Sequence, residues 1–135
     1  MTNSAAVDRI SMTLRPAIER FATAARAGCP RARVHANTGR SESFPFYATV
    51  ALSEADPAGD EVVVLSIDVW TDGVAIKLSC DLADGDGREL ANGPACSMLA
   101  PLGDSQDLTG WLRDAVLFVD GCTAEAVRVA SARGL

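Results

Sequence analysis

The stretch EVVVLSIDVWTDGVAIKLSCDL, residues 61–82, decides the fold. Alternating apolar runs flank Asp72-Gly73, and Asp-Gly is a strong short-range signal for a β-hairpin. Both central positions of its type I′ turn take positive φ. That turn sets a register in which Thr71 faces Val74, Trp70 faces Ala75, Val69 faces Ile76 and Asp68 faces Lys77. Ile67 then faces Leu78, Ser66 faces Ser79, Leu65 faces Cys80 and Val63 faces Leu82. Pairs apolar on both sides alternate with pairs that include Asp68–Lys77. A slip of one residue would mix the two faces, so pattern and turn agree.

Before the hairpin, residues 44–52 alternate as well. Phe44, Phe46, Ala48, Val50 and Leu52 fall on one side, and Pro45, Tyr47, Thr49 and Ala51 on the other. Pro45 suits a strand end or an edge. Paired antiparallel with the hairpin, this strand sets Tyr47 near Asp68 and Pro45 near Trp70. After the hairpin, residues 88–91 and 95–99 read as pieces of an edge strand broken at Asn92-Gly93-Pro94. Residues 29–43 are loop-like, with room for a short strand over 33–36.

The ends of the chain read as helices. Val7, Ile10, Leu14, Ile18, Phe21 and Ala25 recur at steps of three and four, forming one stripe that Ser4 can cap and Gly28 ends. Pro16 removes a helix hydrogen bond at a cost of roughly 3 kcal/mol. One kinked helix is the favoured reading, and two helices with Pro16 in the first turn of the second is the other. From Asp104 or Ser105, Leu108, Trp111, Leu112, Ala115, Val116 and Val119 follow helical spacing. Gly121 is expected to break that helix, and Thr123 to cap a short last one through Arg133. Helix, an uninterrupted run of strands, then helices is the order of an α+β fold. The expectation is one domain over 1–135, with an antiparallel sheet of about four strands. Its outer face would carry Tyr47, Thr49, Val62, Val64, Ser66, Asp68, Trp70, Ala75, Lys77 and Ser79.

Composition narrows the function by exclusion. The net charge of −6 argues against nucleic acid as the partner. Residues 1–40 nevertheless hold seven arginines against Asp8 and Glu19, while 41–135 hold five basic and sixteen acidic residues. An N-terminal helix resting on an acidic body accounts for that asymmetry. The longest apolar runs are too short to span a bilayer, and no leader pattern opens the chain, so no membrane association and a cytoplasmic location are expected. A single lysine among many arginines and alanines fits a GC-rich bacterial genome.

No catalytic or cofactor motif emerges. Asp81-Leu-Ala-Asp84-Gly-Asp86-Gly lacks the glycine and distal glutamate of a calcium loop, and Gly85-Asp-Gly87 lacks the third glycine of a dinucleotide turn. Cys29, Cys80, Cys96 and Cys122 include no CxxC, so free thiols are expected and no metal. His35, the only histidine, reads as a surface loop residue, although a Cys29–His35 nucleophile pair is conceivable from residue type. Trp111, on the core stripe of its helix, reads as structural. Tyr47, Asp68, Trp70 and Lys77 form the better candidate, since tyrosine and tryptophan dominate interface energetics. Their plainer reading is an ordinary cross-strand cluster.

The layout resembles that of small bacterial secretion-chaperone and toxin-immunity domains, a likeness of element order that transfers no residue. It implies a non-enzymatic protein-binding module without a cofactor, docking a protein partner or a second copy on its sheet. The alternative is a small-molecule-binding protein or small enzyme with a pocket between sheet and helices.

Overall fold

The apolar stripe of the first thirty residues is buried as a single helix. In the computed structural model, which describes residues 4–56, 59–103 and 105–135, helix α1 (Ser4–Gly28) buries every stripe residue from Val7 to Ala25. Pro16 lies inside this continuous helix. The carbonyl it leaves without a donor is that of Met12, whose side chain is 77% exposed, so water can serve it. The residues preceding Ser4, where a cap would sit, lie outside the described residues.

Six strands follow: β1 (Arg33–Gly39), β2 (Phe46–Ser53), β3 (Glu61–Thr71), β4 (Ala75–Asp84), β5 (Glu89–Asn92) and β6 (Cys96–Leu99). The sheet is antiparallel in the order β1-β2-β3-β4, with β5 and β6 both pairing with the far edge of β4. It is therefore larger than the four strands expected. Residues 33–39 form a full edge strand despite their polarity, because an edge strand with few buried residues needs only one ladder. The break expected at Asn92-Gly93-Pro94 is present, and it divides two strands that share one partner.

The hairpin register differs from the expected one by two residues. Thr71 faces Ile76, Trp70 faces Lys77, Val69 faces Leu78, Asp68 faces Ser79 and Ile67 faces Cys80. Asp72 is the cause. Its Oδ1 accepts the amides of Val74 and Ala75, each at 2.9 Å, so it stands before the turn and Gly73-Val74 occupy the centre. Gly73 has φ of 93°, and no described non-glycine residue has positive φ, which a type I′ turn would demand of Asp72. A two-residue shift preserves the face of every side chain and changes every partner. Val62 also departs from expectation: it is buried, beside the β-bulge at Leu52/Ser53.

Helix α2 (Gln106–Ala132) is continuous, so Gly121 does not break it. Cys122, Ala126 and Ala130 extend its buried stripe past the glycine, and that packing outweighs a local preference of about 1 kcal/mol. Ser105 caps the helix by accepting the amide of Leu108 at 3.2 Å, while Asp104 lies outside the described residues. The two helices run parallel. Arg9 Nη2 donates to Thr109 Oγ1 at 3.0 Å, and further along Arg20 grips Asp120 with two bonds of 3.0 Å. α1 lies over β1 and β2, and α2 over β3, β4 and β6. Ile10, Leu14, Phe21, Leu65, Ile67, Leu78 and Leu108 are among the fully buried side chains between the layers.

Candidate functional site

Because both helices cover the same side of the sheet, the outer side is left open among the described residues. Strand alternation sends every second residue there, and the register fixes which of them are neighbours. One row across the sheet reads Gly39–Tyr47–Asp68–Ser79, and the next reads Asn37–Thr49–Ser66–Asp81–Asn92. On the other side of Asp68, Trp70 faces Lys77, which faces Ser97 on β6. Val64 lies between Ala51 and Ala83 in the row beyond Asp81.

All four residues singled out from sequence lie on this face. Tyr47 faces Asp68 as expected. Lys77 does not face Asp68; the shifted register puts it opposite Trp70, with Nζ 5.6 Å from the ring centroid, in cation–π contact. Tyr47 has a structural duty too. A side chain at Gly39 would collide with its ring and hydroxyl, so the ring lies across the glycine, and Phe44 packs edge-on to it with centroids 6.5 Å apart.

The shifted register leaves Asp68 without its expected lysine. Its diagonal neighbours on β4 are Lys77 and Asp81, the latter inside the expected hairpin but absent from the expected outer face. The parity of β4, on which Ala75, Lys77, Ser79 and Asp81 share a face, was the signal for it. Burial, and then the charge of Asp81, push the Asp68 carboxyl above its usual range. Asp81 is raised by burial and then by Glu89. Among the described residues, the ion pairs Arg20–Asp120, Arg40–Asp8, Arg113–Asp114 and Arg128–Glu125 involve neither carboxylate.

Asp84 Oδ1 accepts the amides of Asp86 and Arg88, so the acidic turn satisfies its own backbone. His35 is exposed on β1, on a strand and not in a loop, while Cys29 is buried with its thiol toward the Val127 carbonyl and Ser131. All four cysteines are free. Burial pushes the Cys80 thiol up to about 12 and that of Cys122 up to about 11, far from thiolate chemistry at neutral pH. Trp111 is buried, and its indole N–H donates to the Pro94 carbonyl at 2.9 Å. Among the described residues no group of three metal-ligating side chains converges, and no helix is long and apolar enough to cross a membrane. A shallow groove of about 530 Å³ lies outside α1, between Met12, Pro16 and the Asp8–Arg40 pair, away from the sheet.

Comparison with protein-family models, with curated proteins and with solved structures finds no significant match.

Proposed function

We propose that this chain is a non-enzymatic protein-binding module that docks its partner on the outer face of the sheet. In layout it resembles secretion-chaperone and toxin-immunity domains. The partner is another protein or a second copy, met in the bacterial cytoplasm, and the activity requires no cofactor. The observation that carries the reading is the composition of the uncovered face. An antiparallel sheet tolerates one wet side, but this side presents Trp70, Tyr47 and Val64, none of them under a helix. Leu99 and Val74, 77% and 70% exposed, extend the apolar surface at its Trp70 end. Large aromatic and apolar side chains gathered on one open surface are the usual material of an interface.

The test is affinity capture from the native cell with the wild-type chain, Trp70→Ala and Ser79→Arg, each checked for its fold by circular dichroism. Ser79 is exposed at the centre of the face, so arginine there adds bulk without disturbing the core. A partner held by wild type and lost by both variants is the expected result. Equal recovery with all three chains, together with unchanged sedimentation, overturns the reading.

A further inference from the structure

We propose that the segment docking on this face is cationic: an apolar stretch of another protein whose lysine or arginine seats between Asp68 and Asp81. This rests on the docking reading above and adds the chemistry of the occupant. The argument is charge complementarity. The central strands present Asp68 and Asp81 as diagonal neighbours, with Glu89 close to Asp81. Lys77, the other diagonal neighbour of Asp68, has its Nζ over the Trp70 ring at 5.6 Å from the centroid. The ion pairs of Arg20, Arg40, Arg113 and Arg128 involve residues of α1 and α2 and the Arg40 loop.

Two half-buried carboxylates that repel one another gain from one shared positive charge, and the gain is larger once the docked chain excludes water. Tyr47 beside Asp68, and Trp70 two residues along β3, offer apolar surface for the stem of a lysine or arginine. The same charges select against other occupants. A second copy set face to face would bring one acidic surface onto another, and anionic lipid or nucleic acid would be repelled.

The probe is a dye-labelled twelve-residue peptide alternating valine and lysine, with its valine–glutamate counterpart, titrated into the full chain at physiological salt. The lysine peptide is expected to bind and the glutamate peptide not. Asp68→Asn/Asp81→Asn should weaken binding by about tenfold, as loss of a close charge pair does, and Ser79→Arg should weaken it by placing a cation opposite Asp68. Glu19→Gln/Asp114→Asn changes the net charge equally on the helix layer, and should leave binding within about twofold, since distant exposed charges are screened. Equal loss in the two double variants, no preference for the lysine peptide, or a dimer that Trp70→Ala dissociates would each overturn the inference. If the peptide test fails while Trp70→Ala and Ser79→Arg still abolish capture of the cellular partner, the docking face stands and the cationic occupant falls. If capture is also unaffected, both fall.

Discussion

Asp68 carries a measurable sign. Its native carboxyl is held above the usual range by burial and by Asp81, so the folded state binds its proton more readily than the unfolded chain does. At neutral pH the charged form therefore works against folding, and that cost fades as pH falls through the raised native pKa. Asp68→Asn should raise the melting temperature at pH 7, and the gain should shrink toward zero as the buffer is taken down through the carboxylate range. Asp72 has the opposite sign. The amides of Ala75 and Val74 hold it low, so its contribution is present at neutral pH and is lost as pH falls through its native value. Gly85 shows what a single methyl can do. Its backbone passes so close to the Glu61 carbonyl that a Cβ would fall on that oxygen, and its amide donates to Val62 at 3.0 Å. Gly85→Ala should cost roughly 1–3 kcal/mol, the usual penalty of overpacking, read from urea denaturation. None of this was legible one residue at a time. The Asp72-Gly73 pair marked a hairpin correctly, but the carboxylate's bonds to the Val74 and Ala75 amides, which moved the turn by one position, depend on a geometry that residue identity leaves open.

The long apolar repeats were the legible elements. The α1 stripe and the alternation of β2, β3 and β4 led to buried faces much as they were read, because burial enforces period on helix and strand alike. Where local preference and packing disagree along a helix, packing wins. At Gly121 the helix continues because Cys122 and Ala126 still face the core. A Cβ at Gly121 would meet nothing within 4 Å, so Gly121→Ala should stabilise by roughly 0.5–1 kcal/mol in thermal or chemical unfolding. The full length of β1 leaves little trace in the sequence because its exposed side chains give little alternation. The divided edge of β5 and β6 is held by α2 through Trp111, whose indole reaches the Pro94 carbonyl between them. Trp111→Phe leaves that carbonyl short of a strong donor, at a cost of about 1–3 kcal/mol. Hydrogen exchange should then quicken in β5 and β6 before it does in β2 or β3.

At the scale of the molecule, the uneven charge of the sequence finds only part of its explanation. Arg20 does bridge to Asp120, yet Arg40 turns back to Asp8 within the same basic region, and the acidic residues of the outer sheet face are answered by neither. The α+β class was readable because strands ran uninterrupted between two helical ends. The candidate surface was readable only in part: Tyr47, Asp68, Trp70 and Lys77 share the outer face, while Asp81 joins them through a register that no single-strand pattern reveals. The parallel course of α1 and α2 has a further consequence. Both helices point the same way, so Ser4 and the residues after Ala132 stand at opposite poles, separated by about the 37 Å that twenty-five helical residues span. Joining the chain's beginning to its end would take at least roughly eleven extended residues. A circular permutant opened at Gly73 should therefore refold with a long linker and fail with one of a few residues, as judged by its near-ultraviolet dichroism. Labels placed at Ser4 and Arg133 would report opposite poles of the helix layer.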